Sequence, residues 1–245
     1  MDVMQQAMEV FARGFAFTRS FTHPYLPERV GDLWVVRDGP RKKGDFRREE
    51  WIAQGVTPRK VVQAAHKRAR GHYCICAIYG VDEDDAPLRE GYKALDYRLG
   101  GTEIFMVNEL GRIPRPKAPV DIVRVLDEEL AGRVNKAARA KQILPEHLVA
   151  EAPLRCYAGL VDGAPVGWVS SVDLDGMSWC SNMYVTAEYR CRGIGRALMA
   201  KMLRDDRKYG SQLAVLTASH TGALLYPCVG YREIGTLLVY TPKKR

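Results

Sequence analysis

The segment from Met183 to Met199 constrains the fold more than any other part of the chain. Its residue pattern predicts an apolar strand, a short basic turn and a helix that begins at glycines. The first amides of a helix lack intrahelical partners, and the helix dipole adds about half a positive charge there. Gly193 and Gly195 have no Cβ, so a ligand can touch the backbone. The segment therefore predicts an anion site at a strand-to-helix turn.

Three arginines surround this turn: Arg190, Arg192 and Arg196. Their forked donors suit phosphate oxygens. Two common phosphate motifs do not fit, because a dinucleotide fingerprint needs a small residue where Leu198 stands and a P-loop needs Gly-Lys-Ser/Thr. What remains is the pattern Arg-x-x-Gly-x-Gly at residues 190–195, directly after a strand that contains Met-Tyr-Val.

This pattern resembles the acetyl-CoA loop of the GNAT N-acetyltransferase superfamily. Residues 223–231 are similar to that superfamily's second signature, Ala-x-x-Leu-Tyr-x-x-x-Gly followed by an aromatic residue. The resemblance covers residues 120–241. It implies the GNAT acyl-CoA N-acyltransferase fold, an α/β fold with a mixed sheet, and an acetyl-CoA-dependent acyltransferase.

The resemblance also implies which residues bind the cofactor. Backbone groups of Met183 and Val185 would hold the pantetheine arm as an added strand, and the amides of residues 191–196 would hold the pyrophosphate. A backbone amide near residue 183 would stabilise the oxyanion. Ser219 stands where the superfamily often has asparagine. The full predicted set is Met183, Tyr184, Val185, Arg190, Cys191, Arg192, Gly193, Ile194, Gly195, Arg196, Ala197 and Ser219.

Tyr226 lies in the second signature and is the candidate general acid. A phenol with a pKa of about 10 can protonate a thiolate whose acid has a pKa of about 8.5 when the two are in hydrogen-bond contact. We therefore predict transfer of an acetyl group from acetyl-CoA to a primary amine, by direct attack in a ternary complex. The alternative is a catalytically inactive acyl-CoA-binding regulatory or scaffold protein, against which the retained Tyr226 argues.

The general base stays open. Many relatives carry a glutamate on the strand before the loop, where this chain has Cys180, Ser181 and Asn182. A water relay, His220 and Asp173 are the substitutes. The acceptor is also open, because the loops that choose it, here predicted within residues 127–150, share no signature.

Composition excludes several other classes of protein. The chain has 245 residues and a net charge of +8, but its charges do not form an aromatic-interleaved stripe, so a nucleic-acid partner is not expected. No apolar run approaches the roughly 18–20 residues of a membrane span, and a cytoplasmic location is predicted. The six cysteines are scattered without a Cys-x-x-Cys pair, so no metal site is expected. The oligomeric state is not indicated.

A repeated sequence pattern indicates that the chain consists of two similar halves. The pattern Tyr-Arg-x-x-Gly-Thr occurs at residues 97–102 and again at 231–236. The same offset places residues 56–61, which contain no glycine, opposite the phosphate loop. We predict a degenerate GNAT-like domain at 1–112, a proline-rich linker at 113–119, and a catalytic acetyl-CoA-binding domain at 120–245.

Local patterns predict several individual elements. Apolar spacing favours an amphipathic helix within residues 1–22 and a helix over 194–209, and residues 30–38 are predicted as one strand. Residues 41–45 form a predicted charged turn. An Asp-Gly pair at 162–163 predicts a tight hairpin between strands 154–161 and 164–172.

Overall fold

A computed structural model describes residues 2–41 and 44–243, which form two compact units. The first unit contains the described residues up to 106, together with 217–221 and those from 233 onward, and the second contains 107–216 and 222–232. The last strand of the chain thus belongs mainly to the first unit. The division at 113–119 stays a prediction. The predicted charged turn at 41–45 includes residues 42 and 43, which lie outside the described residues.

The first unit is a mixed sheet with three helices, and its strands follow the order β1-β2-β3-β4-β11-β5. Strands β1, β2 and β3 pair antiparallel, β3 and β4 pair parallel, and β4 pairs antiparallel with β11. The elements are α1 (Val3–Arg19), β1 (Tyr25–Val30), β2 (Leu33–Asp38), β3 (Glu49–Gln54), α2 (Pro58–Arg68), β4 (Tyr73–Gly80), α3 (Ala86–Ala94), β5 (Tyr97–Asn108) and β11 (Arg232–Pro242).

Alternating residues of these strands build the core of the first unit. Trp51 and Ala53 on β3, and Ile75 and Ala77 on β4, are buried in one cluster with apolar residues of α2 and α3. Side chains two positions apart share one face of a strand, so these two helices cover that face of the sheet. On α3, the ring of Tyr92 stacks on a tyrosine of β11 with centroids 4.3 Å apart.

The second unit is a sheet in the order β10-β9-β8-β7-β6. Strands β6 to β9 pair antiparallel, and β9 and β10 pair parallel. The elements are β6 (Asp121–Arg124), α4 (Glu128–Ala138), a 3₁₀ helix (Pro145–His147), β7 (Leu154–Val161), β8 (Ala164–Asp173), β9 (Met177–Val185), a 3₁₀ helix (Ala187–Tyr189), α5 (Ile194–Lys208), β10 (Leu213–Ala218), α6 (His220–Ala223) and a 3₁₀ helix (Tyr226–Val229). The last two residues of β10 and the first two of α6 belong to the first unit.

Helix α5 packs along β7, β8 and β9 and fixes the turn that precedes it. Its buried residues include Ile194, Ala197, Leu198 and Met202, which recur at helical spacing. The same helix buries Asp206, whose Oδ1 accepts hydrogen bonds from Nε and Nη2 of the guanidinium of a β7 arginine, Arg155. The amphipathic pattern predicted for this helix is thereby confirmed.

Both units show the same connectivity. In each, three consecutive antiparallel strands lead into a helix and then into a strand parallel to the third: β1-β2-β3-α2-β4 in the first unit and β7-β8-β9-α5-β10 in the second. The duplication predicted from the repeated sequence is consistent with this connectivity.

The observed helices and strands confirm two of the local predictions and correct a third. The first helix and the Asp162-Gly163 hairpin are confirmed. The predicted strand over residues 30–38 is confirmed for 33–38, which form β2, but its predicted start was wrong. The chain turns after Val30, and β1 pairs with β2 as a hairpin. Gly31 has φ +60°, a value that favours glycine and that a two-residue hairpin turn requires.

Candidate functional site

Part of one edge of strand β9 is not paired with the neighbouring strand β10. It pairs with β10 at three positions, from Met177 opposite Leu213 to Trp179 opposite Val215. Beyond Trp179, β9 runs six residues further to Val185 while it remains paired with β8 on its other side. In the first unit the corresponding β3–β4 ladder runs the full length of β3. Of these two strand pairs in the described part of the chain, only β9–β10 leaves backbone donors and acceptors free for an extended ligand, along β9 beyond Trp179.

The turn after β9 exposes backbone amides. Cys191 and Gly193 have φ +58° and +84°, and α5 begins directly after them. The Ala197 amide donates to the Gly193 carbonyl at 3.0 Å, the first bond of the helix. The N–H groups of Ile194, Gly195 and Arg196 precede this bond, so they have no acceptor within the helix. This is the geometry of an anion site at a helix start.

The arginines of the turn are exposed and carry no ion pair to any carboxylate among the described residues. Arg190 Nε donates to the Val185 carbonyl at 2.9 Å, and its guanidinium lies 5.5 Å from the centroid of the Tyr184 ring. The Arg192 guanidinium lies over a neighbouring tyrosine ring at 5.3 Å. Their positive charge is thus uncompensated beside the bare amides.

The two glycines of the turn have different roles. A Cβ on Gly193 would meet nothing within 4 Å, so this side of the backbone is open. A Cβ on Gly195 would lie 3.1 Å from Met183 Cε and 3.2 Å from Leu225 Cδ2, so here the helix start packs against β9 and against the residue before Tyr226. The structure therefore brings the two sequence signatures together at Gly195. The side chains of Ile194 and Ala197 are buried. The Ile194 amide is available to a ligand, whereas the Ala197 amide is already bonded to the Gly193 carbonyl.

Tyr226 begins the last 3₁₀ helix of the second unit. Its side chain is buried, and its ring meets that of Tyr231 edge to face with centroids 5.7 Å apart. Burial, with a smaller contribution from Cys180, raises the pKa of the Tyr226 phenol above its usual value. The group therefore keeps its proton throughout the physiological pH range.

The predicted substitutes for a base occupy different surroundings. His220 is exposed, and its Nε2 lies 2.7 Å from Thr102 Oγ1 in the first unit, which also contains Ser219. Asp173 accepts a hydrogen bond from Arg155 Nη1 at 3.3 Å. Burial raises the pKa of the Cys180 thiol, so this residue stays neutral.

A cavity of about 610 Å³ lies in the second unit beside β9, within the usual size range of small-molecule sites. We call it the α4–β9 cavity. It is lined by Ala137, Ala138, Arg139, Gln142, Trp168, Asn182, Met183, Tyr184 and Thr186. Among these, Met183 and Tyr184 were predicted as cofactor residues. Arg139 and Gln142 lie within residues 127–150, the range predicted to choose the acceptor, but neither was singled out from the sequence, and Asn182 was not assigned a role.

Two local features shape the wall of the α4–β9 cavity. Trp168 and Tyr184 stack across β8 and β9 with centroids 4.9 Å apart. The pairing register shifts between Trp168 and Ser170, and Asn182 has φ +55° there. Such bulges re-aim side chains and are common beside active sites. The two aromatic residues could be identified from the sequence as possible pocket-lining residues. The bulge could not, because it depends on how the strands pair.

One family model matches the part of the chain that contains this site. The family model of the acetyltransferase (GNAT) domain matches residues 148–233, which include β9, the glycine turn and Tyr226. The chain contains a GNAT domain. Within that domain lie all the predicted GNAT cofactor residues and the predicted acid. No curated protein sequence matches the chain.

Several solved structures share the fold of this chain over most of its length. A GCN5-related N-acetyltransferase from Kribbella flavida is 16% identical with a TM-score of 0.67, and the match covers 97% of this chain and 96% of that one. A GCN5-related N-acetyltransferase from Sphaerobacter thermophilus is 18% identical with a TM-score of 0.55, covering 85% and 76%. A tandem GNAT protein from the clavulanic acid biosynthesis pathway is 14% identical with a TM-score of 0.55, covering 88% and 82%.

The described residues contain neither a candidate membrane span nor a candidate metal site. No helix among residues 2–41 and 44–243 is both long and apolar enough to cross a membrane. The same part of the chain holds no cluster of three or more His, Cys, Asp or Glu side chains suited to a metal ion. All six cysteines are free thiols.

Proposed function

We propose that the protein is an N-acetyltransferase that moves an acetyl group from acetyl-CoA to a primary amine. The observation that carries the proposal is the unpaired edge of β9 beyond Trp179, which lies next to a glycine turn where the first helix amides have no acceptor within the helix. One ligand chemistry fits both parts, an extended amide-containing arm that ends in a pyrophosphate. The residues fit acetyl-CoA because the edge supplies strand-like backbone partners and the exposed arginines supply charge.

The residues of the predicted set divide between the two parts of the cofactor in this proposal. Backbone groups of Met183, Tyr184 and Val185 hold the pantetheine arm. The amides from Cys191 to Arg196, with the side chains of Arg190, Arg192 and Arg196, hold the pyrophosphate. The Ala197 amide is bonded to the Gly193 carbonyl, so Ala197 contributes only its place in the first turn of the helix. Ser219 was predicted as a further contact and stays a proposal. The N-terminal half is proposed to be a degenerate copy without a donor site, because its β3–β4 ladder is closed over all of β3 and α2 begins with Pro58, which has no N–H.

The acceptor binds in the α4–β9 cavity in this proposal, and acetyl-CoA supplies the activated acetyl group. The amine nitrogen forms the amide bond as the thioester C–S bond breaks, and the proton that the amine loses balances the one that the thiolate gains. Tyr226 donates the latter proton. Its raised pKa keeps the proton in place before the reaction. Burial disfavours the phenolate as well as a free thiolate, so the transfer depends on direct hydrogen-bond contact between the phenol and the departing sulfur. The proton of the amine leaves through a water relay.

The proposed activity is tested by the release of free CoA thiol. Purified protein is mixed with acetyl-CoA and a panel of primary amines, and thiol is followed with a chromogenic reagent while the acetylated amine is identified by mass spectrometry. We expect amine-dependent thiol release with an equal amount of acetylamine. Binding of acetyl-CoA without any transfer across the panel would favour the catalytically inactive scaffold protein.

Replacing Gly193 with aspartate should weaken acetyl-CoA binding by at least about tenfold, since one repelled charge near a phosphate costs on the order of 1.5 kcal/mol or more. A Cβ at this position meets no neighbour, so the added carboxylate acts through its charge and not through a clash. Isothermal titration of the variant with acetyl-CoA measures the effect.

Gly193→Asn is the matched control for this variant. Asparagine has the same shape as aspartate and the same difficulty at φ +84°, but no charge. We expect Gly193→Asn to bind acetyl-CoA clearly more tightly than Gly193→Asp. Equal affinities of the two variants would remove the assignment of the turn to a pyrophosphate.

A further inference from the structure

The wall of the α4–β9 cavity has an uneven charge. Its nine lining residues include one cation, Arg139, and no carboxylate. Arg139 follows the last residue of α4 with φ +52° and ψ +28°, and its amide donates to the carbonyls of that helix's last turn. Its guanidinium is exposed and forms no ion pair with any carboxylate of the described chain. An anionic group in the cavity would find a free partner there.

A second polar group is built into the same wall. Gln142 is 8% exposed, and its Oε1 is buried without a hydrogen-bond partner among the described residues. Asn135 Oδ1 accepts from the amides of Gln142 at 2.6 Å and Ile143 at 3.2 Å, which fixes the loop after α4. Buried polar groups are almost always paired, so an unpaired amide on a cavity wall indicates a ligand with its own polar groups.

The remaining wall is aromatic. The stacked rings of Trp168 and Tyr184 form a flat surface, and Trp168 is almost completely buried while Tyr184 is 43% exposed. Asn182 adds one more side-chain amide from β9. The cavity thus combines a cation, two amides and an apolar surface, which is the composition that binds a small polar molecule with one apolar part.

We propose that the α4–β9 cavity binds an acceptor amine that also carries a carboxylate. Arg139 pairs with the carboxylate, and Gln142 Oε1 accepts a hydrogen bond from an N–H of the acceptor. The inference rests on the proposed N-acetyltransferase function and names its acceptor class. The carboxylate takes no part in the bond changes of acetyl transfer. A diamine is disfavoured, since its second ammonium group would face Arg139 with no carboxylate in the wall to receive it.

The test compares amino acids with their decarboxylated amines, in the full chain with saturating acetyl-CoA. Suitable pairs are phenylalanine with phenethylamine and lysine with 1,5-diaminopentane. We expect kcat/KM to be at least about tenfold higher for the amino acid of a pair, the effect of one charge-assisted hydrogen-bonded contact. Equal values within each pair would overturn the inference while leaving the N-acetyltransferase function intact.

Arg139→Gln should remove this preference, lowering kcat/KM for the amino acid by at least about tenfold and changing that of the decarboxylated amine little. Lys136→Gln is the matched control: it removes the same charge from the same helix, but Lys136 does not line the α4–β9 cavity. We expect Lys136→Gln to keep the preference. An unchanged preference in Arg139→Gln contradicts the role of this residue.

A binding measurement gives a readout that does not depend on turnover. N-acetylphenylalanine and N-phenethylacetamide, the products of one pair, are titrated in the presence of CoA while the melting temperature is followed. We expect stabilisation of the wild-type protein by N-acetylphenylalanine alone, and none in Arg139→Gln. Binding of both products, or of neither by protein that binds CoA, overturns the inference. Loss of CoA binding itself would instead count against the proposed function.

Discussion

Replacing Tyr226 with phenylalanine should lower kcat about 100-fold or more while leaving the affinity for acetyl-CoA nearly unchanged. Loss of a positioned general acid typically costs two to four orders of magnitude. The substitution removes one hydroxyl from a buried side chain, so the packing of the ring against Tyr231 is kept. Steady-state kinetics with an accepted amine gives kcat, and titration with acetyl-CoA gives the affinity.

Tyr231→Phe is the control for this variant, because it removes the same atom from the adjacent ring. Tyr231 is 3% exposed and lies deeper than Tyr226. We expect Tyr231→Phe to keep kcat within about threefold of wild type, since it removes no proton donor to the reaction. A Tyr226→Phe enzyme as active as Tyr231→Phe would show that another group protonates the leaving thiolate.

Replacing Asp206 with asparagine should lower the free energy of unfolding by about 3–5 kcal/mol, the usual cost of leaving one member of a buried ion pair alone. The Asp206 carboxylate is fully buried and accepts from Arg155 at 2.9 Å and from Ser171 at 2.8 Å. Burial raises the pKa of Asp206, and the guanidinium of Arg155 opposes that rise. Urea unfolding followed by circular dichroism measures the change.

Asp205→Asn provides the comparison on the same helix. Asp205 pairs with Lys201 at 2.5 Å, but both side chains reach solvent, so we expect a change below about 1 kcal/mol. A double variant, Arg155→Met with Asp206→Leu, should regain much of the stability that Asp206→Asn loses, because no buried charge is left unpaired. Equal losses for Asp205→Asn and Asp206→Asn would contradict the structural role of the Arg155–Asp206 pair.

The parts of the site that are formed by consecutive residues could be predicted from the sequence. The strand, the basic turn and the glycines at 193 and 195 follow one another, so their arrangement follows from helix and turn geometry alone. The fold class was predicted from the resemblance of two signatures, in their expected order, to those of the GNAT superfamily. The meeting of these signatures at Gly195, through Met183 and Leu225, needed the structure.

Other parts depend on contacts between distant residues. The α4–β9 cavity joins the end of α4, the loop at Gln142 and two strands, and no local pattern marks Arg139 as part of it. The closed ladder of β3 and β4 and the open one of β9 and β10 differ in pairing, which residue types do not reveal. Likewise the last strand packs in the first unit, whereas the linker pattern at 113–119 predicts a division into consecutive segments.

Isothermal titration of the purified protein with acetyl-CoA, with CoA and NADH as comparisons, tests the central claim most directly. The open edge of β9 and the bare amides of the turn predict micromolar binding of acetyl-CoA and CoA, and no comparable binding of NADH. Absence of acetyl-CoA and CoA binding by folded protein would contradict the assignment of this edge and turn to the acyl donor.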